Sequence, residues 1–147
     1  MSPATPTGGK SGGSGVGRFA VVDTTLRSEL AKPYAYGSAD CFLMGCQMAD
    51  ALDMARALVS TYGGSYRTLM SAQRALRKQG CKSLVDLFAR HLTPCAPAQA
   101  ALGDIVILDV GGAEHVGVCL SSTRYVTKTE TGPAYFGLGS VKAAFRT

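Results

Sequence analysis

Two residues with nucleophilic or proton-transfer chemistry occupy informative positions in this sequence, Cys41 and His115. Cys41 follows Asp40, a good helix N-cap, so its thiol is predicted in the first turn of a helix over CFLMGCQMADAL. Unpaired N–H groups and the helix dipole stabilise a thiolate there, although the charge of Asp40 opposes them. A second activator is therefore needed, and an imidazole that accepts the thiol proton is the usual one.

His115 is one of two histidines and begins a predicted strand, HVGVCL, directly after the turn GGAE. An edge position of this kind can face a helix terminus. A cysteine at a helix N-terminus opposed by a histidine on a sheet is the papain-like arrangement for acyl transfer. The alternative is structural for both residues, because a free cysteine commonly serves as a small buried hydrophobe.

The remaining cysteines and the second histidine are interpreted as structural. The five cysteines contain no CxxC pair and no Cys/His cluster at zinc spacing, which disfavours a disulfide framework and a structural zinc site. Neither a metal nor another cofactor is predicted. His91 is interpreted as a partner of a helix C-terminal dipole. The buried-hydrophobe interpretation is preferred for Cys46, Cys81, Cys95 and Cys119.

The elements that must position Cys41 and His115 form a helical half followed by a β half. Helices are predicted from an N-cap at Asp23, over CFLMGCQMADAL, from Ser65 to Gln79 and over SLVDLFARHL. Ser83 and Asp86 form a capping-box signal for the last of these. The short β-rich runs IVILDV, HVGVCL and RYVTKT then predict a small antiparallel sheet. The predicted fold class is therefore α+β.

The composition restricts the class of protein. The chain has 147 residues, 46% of them hydrophobic, which fits one domain with its own core. Residues 1–17 are rich in Gly, Ser and Pro and are predicted to form a flexible tail, with a single domain over 18–147. The tail contains GGKSGG, but no strand precedes it, so a phosphate-binding loop is rejected.

Charge and hydropathy exclude further classes. No apolar run approaches the ~20 residues of a membrane span, and the N-terminus lacks the apolar core of a secretory signal. The net charge is +5, with a basic cluster at Arg74, Arg77 and Lys78. These cations fall in the last turn of a predicted helix, where they complement its dipole. Attraction to polyanions is the alternative, with cell-wall polymer and nucleic acid as the two candidates.

Taken together, the motifs resemble those of the NlpC-type cell-wall cysteine peptidases, a compact branch of the papain-like fold. Members carry Tyr-x-Trp-Gly-Gly, Asp-Cys-Ser-Gly at a helix start, Gly-Asp before a strand and His-Val-Gly-Ile in the next strand. Here PYAYG, ADC, GDIVIL and EHVGVCL follow in the same order, beginning at Pro33, Ala39, Gly103 and Glu114. The resemblance covers most of the chain after Gly17 and is closest to short versions beside phage tail genes and in gene-transfer particles.

The resemblance implies catalytic roles for three residues. Cys41 would be the nucleophile and His115 the general base and acid. Tyr34 matches the tyrosine that helps to polarise the scissile carbonyl, and the N–H of Cys41 would be the other oxyanion donor. Tyr36 replaces the family's Trp and would form a wall of the cleft.

The resemblance also implies a third residue that orients the imidazole. Its position is Thr127, and Thr129 lies on the same face of the predicted strand. Threonine replaces the usual His, Asn or Gln, while Glu114 and Asp109 are nearby substitutes. Asp104 is expected to be structural, closing the turn into the strand.

The implied function is a cysteine peptidase that cleaves amide bonds of peptidoglycan stem peptides through an acyl-enzyme. Such a protein would be made in the bacterial cytoplasm without a signal peptide, join tail-tip or hub proteins of a phage-like tail, and act at the periplasmic cell wall. Nucleic acid is not an expected partner. Thr127 is a weak residue for orienting the imidazole, and the bulky Phe42 follows the cysteine. A tail module without catalytic activity is therefore the second hypothesis. A third is an amidase or acyltransferase acting on another substrate.

Overall fold

The computed structural model describes residues 15–147. A flexible tail is expected over residues 1–17. Residues 1–14 of this tail, which include GGKSGG, lie outside the described residues. Residues 15–17, the end of that expected tail, form the start of the first helix instead.

Five α-helices lie in the first part of the described chain: α1 (Gly15–Ala31), α2 (Cys41–Leu52), α3 (Leu58–Tyr62), α4 (Leu69–Lys78) and α5 (Leu84–Ala89). The expected start of the first helix at Asp23 is wrong. Asp23 lies inside α1, where its carboxylate accepts a hydrogen bond from Arg27 at 3.0 Å. The helix extends further back because Val22 and Leu26 are buried in the core.

The predicted start of α2 is correct, and that of α4 is not. Helix α4 begins after Thr68, which forms a capping box with Ser71, rather than at Ser65. Tyr66 is buried, but it lies in the turn before the helix, and Leu69 in the first turn of α4 is exposed.

Helix α5 begins at the predicted position and ends early. Ser83 accepts a hydrogen bond from the N–H of Asp86 at 3.2 Å, which is the expected cap. The Asp86 carboxylate accepts from the N–H of Lys82 instead of closing the box on Ser83. The helix stops at Ala89, three residues before the predicted end.

Within residues 15–147, six strands form one antiparallel sheet in the order β1-β6-β2-β3-β4-β5. They are β1 (Thr93–Cys95), β2 (Ile105–Val110), β3 (Ala113–Ser121), β4 (Arg124–Thr129), β5 (Gly132–Phe136) and β6 (Val141–Arg146). The three predicted strands are confirmed as β2, β3 and β4. Pro94 lies in β1, an edge strand, where a missing N–H is tolerated. The α+β class is confirmed, with a curled antiparallel sheet beside the helices.

Helix α2 is the central helix of the core. Gly45, Cys46 and Ala49 are buried, while Phe42 and Leu52 are only half-buried. Three further side chains are also buried, so apolar contacts surround most of the helix: Leu43, Met44 and Met48. A Cβ on Gly45 would lie 2.5 Å from Cγ1 of Val116, which shows how closely α2 approaches β3.

The sheet buries apolar side chains on both faces. Val116 and Val118 of β3 belong to the main core that includes α2. The alternate residues of β2 and β3, Val106, Leu108 and Cys119, belong to a second cluster on the other face. This alternation fixes which strand residues are turned towards α2.

Candidate functional site: a buried thiol at a helix start

Asp40 fixes the start of α2 and the loop that precedes it. One carboxylate oxygen accepts from the N–H of Leu43 at 2.8 Å, and the other accepts from the N–H of Gly37 at 2.9 Å. The second oxygen also accepts from the phenol of Tyr66 at 2.5 Å. The loop before α2 is thereby tied to the helix, and Cys41 is the first helical residue.

Gly37 is required by the close approach of this loop to Tyr66. Its φ of +85° lies in the left-handed region, and a Cβ there would be 1.8 Å from the carbonyl oxygen of Tyr66. Any side chain at this position would displace the loop that carries Tyr34 and Tyr36.

The thiol of Cys41 is buried, with 8% of the residue exposed. Burial is the main cause that raises its pKa to about 11, and the charge of Asp40 acts in the same direction. The backbone of Val116, the hydroxyl of Thr127 and the phenol of Tyr34 lie beside the sulfur and act in the opposite direction on its pKa. The thiol is therefore protonated at neutral pH, yet three donors already surround the position of a thiolate.

Tyr34 connects this thiol with the start of the helix. Its phenol oxygen lies at the N–H of Cys41 as well as at the sulfur. Burial, then the charges of Cys41 and Asp40, raise the pKa of the phenol, so it remains a hydrogen-bond donor at neutral pH. The phenol and the N–H of Cys41 are thus neighbours.

Tyr36 packs against Tyr34 on the outer side of the site. The two rings meet edge to face with centroids 5.2 Å apart. The Tyr36 phenol donates to the Glu130 carboxylate at 3.0 Å, which links this loop to the turn between β4 and β5. Its role as a wall of a substrate cleft stays a prediction.

Thr127 is fully buried beside the thiol. It pairs with Gly117 in the β3–β4 register, and its hydroxyl donates to the carbonyl of Val116 at 2.6 Å. The hydroxyl can turn its single proton to the sulfur when a thiolate forms, because both groups are within its reach. The structure therefore brings Thr127, Tyr34 and Cys41 together.

The imidazole of His115 is not bonded to this cluster. His115 pairs with Leu108 of β2, and alternation puts it on the same face of β3 as Gly117, the register partner of Thr127. Its Nδ1 lies 3.4 Å from the carbonyl oxygen of Ala113, in its own turn. Across residues 15–147, no hydrogen bond joins His115 to Cys41 or Thr127.

The suggested substitutes for the third residue are engaged elsewhere. The Glu114 carboxylate accepts from the N–H of Leu84 at 2.8 Å and from Lys142 at 3.0 Å. Asp109 accepts from the N–H of Gly112 at 2.9 Å within a turn. The hydroxyl of Thr129 donates to the carbonyl of Gly132 at 2.7 Å. None of these contacts orients the imidazole of His115.

Asp104 has the contacts of a structural residue. Its carboxylate is buried and accepts from the N–H of Ala101 at 2.9 Å and from Arg18 at 3.1 Å. It also accepts from the N–H of Thr147 at 3.0 Å. Asp104 thereby joins α1, the turn before β2 and the C-terminal residue.

Lys128 is a buried cation close to the site that the sequence interpretation missed. It is 2% exposed, and its ammonium group donates to the carbonyl of Glu29 at 2.8 Å. Burial lowers its pKa, while the negative charge of Glu29 is the strongest influence that raises it. The available signal was alternation in RYVTKT, which puts a lysine on the same face as the buried Val126.

The other candidate thiols and His91 lie away from this cluster. All five cysteines are free, and Cys46, Cys81 and Cys119 are buried as interpreted, while Cys95 is half-buried. His91 contacts the phenol of Tyr62 at 2.6 Å, and burial lowers its pKa. Burial therefore disfavours the charged imidazole that a helix-dipole partner requires.

In the part of the chain from Gly15 onwards, no group of three or more His, Cys, Asp or Glu side chains is placed to hold a metal ion. No helix in that part is long and apolar enough to cross a membrane.

Residues 19–147 match the model of a protein family described as a domain of unknown function, DUF6950. The chain belongs to the DUF6950 family. The match begins within α1 and runs through β6, so the DUF6950 domain includes Tyr34, Cys41, His115 and Thr127. No curated protein and no solved structure matches the chain.

Proposed function

We propose that this DUF6950 protein is a cysteine peptidase in which Cys41 attacks amide bonds of peptidoglycan stem peptides. One observation carries the proposal: the phenol of Tyr34 and the N–H of Cys41 are neighbours beside the thiol. Two donors beside a nucleophile are what a tetrahedral oxyanion requires. The helix-start cysteine packed against an antiparallel sheet supports a papain-like, NlpC-type fold as part of the same proposal.

The first half-reaction forms an acyl-enzyme. The thiol proton of Cys41 passes to the imidazole of His115, and the sulfur forms a bond to the amide carbonyl carbon. The carbonyl oxygen becomes an oxyanion that accepts from the Tyr34 phenol and the Cys41 N–H. The carbon–nitrogen bond then breaks, and the imidazolium donates its proton to the leaving amine.

The second half-reaction releases the acid. Water gives a proton to His115 and attacks the thioester, and the returning proton restores the thiol of Cys41. Thr127 acts on the thiolate through its hydroxyl. By the resemblance, it also occupies the position from which the family orients the imidazole.

The mechanism requires the His115 side chain to turn from its own loop towards the thiol. The contact that now holds the imidazole, 3.4 Å to the Ala113 carbonyl, is long for a hydrogen bond. His115 is also adjacent to Val116, whose N–H lies at the sulfur. Substrate entry that displaces the imidazole from Ala113 would therefore complete the dyad.

The substrate and the setting of the proposal come from the resemblance to NlpC-type peptidases. Stem-peptide amides, in particular the bond from γ-D-glutamate to diaminopimelate, are the proposed substrate class. A phage-like tail that opens the cell wall locally, with tail-tip or hub proteins as partners, is the proposed setting.

The test uses purified peptidoglycan and the full chain, with released fragments identified by mass spectrometry. Cys41→Ser is expected to abolish fragment release. Cys81→Ser is the matched control, because Cys81 is also buried but does not contact Tyr34 or Thr127. Fragment release by folded Cys41→Ser would remove Cys41 from the proposed role, and fragments cut elsewhere than in the stem would overturn the substrate class.

A second candidate function is a non-catalytic module of a phage-like tail. It is favoured because the imidazole of His115 contacts the carbonyl of Ala113 instead of the thiol. Burial meanwhile raises the pKa of the Cys41 thiol to about 11. Iodoacetamide alkylation of each cysteine, followed by peptide mass spectrometry, separates the candidates. Faster alkylation of Cys41 near neutral pH that depends on His115 favours the peptidase, while protection of Cys41 both with and without His115 favours the module.

A further inference from the structure

The whole net charge of the protein is concentrated in one segment. Residues 67–90 contain six basic residues, Arg67, Arg74, Arg77, Lys78, Lys82 and Arg90, and one acidic residue, Asp86. The rest of the chain carries nine basic and nine acidic residues and is neutral. The excess of +5 therefore belongs to α4, α5 and the residues around them.

These cations are not neutralised within the described residues. The ion pairs of residues 15–147 join Arg18, Arg27, Lys32, Arg56 and Lys142 to carboxylates, and none involves a cation of 67–90. Repulsion among unpaired like charges opposes folding slightly, whereas an anionic partner would relieve it. The segment is thus available to a negatively charged surface.

Helix α4 presents its charges and the apolar side chain of Met70 on one exposed face. Met70, Arg74, Arg77 and Lys78 form this basic face, and all four side chains are exposed. Leu69 is also exposed in the first turn, but it lies beside this face, because seven residues separate it from Leu76. Leu69 is 55% and Met70 is 68% exposed. The opposite side of α4 packs against the core through Leu76, so the basic face is turned away from the protein.

The guanidinium of Arg90 adds a further cation at the end of α4. One of its nitrogens lies 3.3 Å from the position of a Cβ on Gly80, just beyond the helix. The basic face therefore runs from Met70 at its beginning to a group of cations at its end, with Leu69 exposed beside its first turn.

We propose that the basic face of α4 docks on an anionic phospholipid surface. Arg and Lys contact lipid phosphates in such complexes, while apolar side chains of the same face enter the acyl boundary. A soluble polyanion would neutralise the cations but would leave Leu69 and Met70 exposed. Residues 67–90 also expose no aromatic ring on which nucleic-acid bases would stack, because Phe88 is buried.

The proposal does not depend on catalysis by Cys41. It adds a membrane-surface contact to a protein whose described helices do not span a membrane. Because few apolar side chains take part, the contact is expected to be reversible and sensitive to salt.

Co-sedimentation of the full chain with vesicles tests the proposal. We expect binding to vesicles of equal parts phosphatidylglycerol and phosphatidylcholine, and none to phosphatidylcholine alone. The triple variant Arg74→Gln, Arg77→Gln, Lys78→Gln should bind about a hundredfold more weakly. The double variant Leu69→Ser, Met70→Ser should lose about tenfold or more while keeping the charge.

A matched control removes the same charge elsewhere. The variant Arg27→Gln, Arg124→Gln, Arg146→Gln also loses three cations but leaves residues 67–90 intact, and it should bind nearly as well as the parent chain. Equal weakening by both triple variants would overturn the proposed location. Two results together would overturn the lipid surface in favour of a soluble polyanion. The Leu69→Ser, Met70→Ser variant would bind vesicles as tightly as the parent chain, and the parent chain would bind inorganic polyphosphate as tightly as vesicles.

Discussion

Thr127 donates its hydroxyl proton to the carbonyl of Val116 at 2.6 Å, directly beside the thiol of Cys41. The bond ties β4 to β3 where the N–H of Val116 reaches the same sulfur. One short strand pair therefore places both the backbone of Val116 and the hydroxyl of Thr127 beside the thiol. The effect of each group on the thiol is measurable through the reactivity of Cys41.

We expect Thr127→Val to raise the pKa of Cys41 and to destabilise the fold. Valine keeps the shape but removes the donor to the sulfur and leaves the buried Val116 carbonyl without its side-chain partner, which costs about 1–3 kcal/mol. The pH profile of Cys41 alkylation and urea unfolding measure the two effects. Thr127→Ser, which keeps the hydroxyl, is the control and should preserve most of the wild-type alkylation profile.

Asp40→Asn should lower the pKa of Cys41. The carboxylate raises the thiol pKa through its charge, and asparagine removes that charge while keeping an oxygen for the N–H of Leu43. The amide cannot accept equally from Gly37 and Tyr66, so stability should fall by about 1–3 kcal/mol. Alkylation across pH is the measurement, and Asp109→Asn in a surface turn is the control. A thiol pKa unchanged by Asp40→Asn would contradict the assigned charge effect.

The stability of the protein should decrease as the pH rises from about 9 to 11. The folded pKa of Cys41 is raised from 9.0 to about 11, so in this window the unfolded state holds fewer protons on this group than the folded state. The stabilisation is fully present below pH 9 and is lost as the pH passes the folded value. Two pKa units correspond to about 2–3 kcal/mol.

Urea unfolding at a series of pH values measures this loss. Cys119, whose pKa is also raised to about 11, contributes in the same direction. Cys41→Ala should therefore show a smaller decrease than the wild type without abolishing it. Equal decreases in the two proteins would show that Cys41 does not carry the effect.

Gly45→Ala should destabilise the protein although alanine favours helices. The propensity gain is about 1 kcal/mol, whereas the new methyl would lie 2.5 Å from Cγ1 of Val116 and force α2 from the sheet. A net loss of about 1–2 kcal/mol is expected in urea unfolding. Because Val116 also presents its N–H to the thiol, alkylation of Cys41 should change as well.

A double variant separates this clash from other causes. Val116→Ala removes the methyl that meets residue 45, so Gly45→Ala combined with Val116→Ala should cost less than the sum of the two single changes. If the two free-energy changes were strictly additive, the contact between residue 45 and Val116 would not be the cause of the destabilisation by Gly45→Ala.

The local elements around the site could be predicted because local chemistry determines them. Asp40 caps the helix that begins at Cys41 through bonds within three residues, and such capping is readable from the sequence. Alternation similarly identified β2, β3 and β4. The first helix was underestimated because the burial of Val22 and Leu26, rather than an N-cap, sets its extent.

The sequence by itself determined the helix start at Cys41, the α+β class and three of the strands, because caps and period-two burial act between near neighbours. Only the tertiary structure decided which groups meet the thiol. Tyr34, Val116 and Thr127 reach it because α2 packs closely on β3 at Gly45, a contact between distant parts of the chain. Tertiary packing also buries Lys128 against the Glu29 carbonyl of α1, while a local contact holds the imidazole of His115 at Ala113.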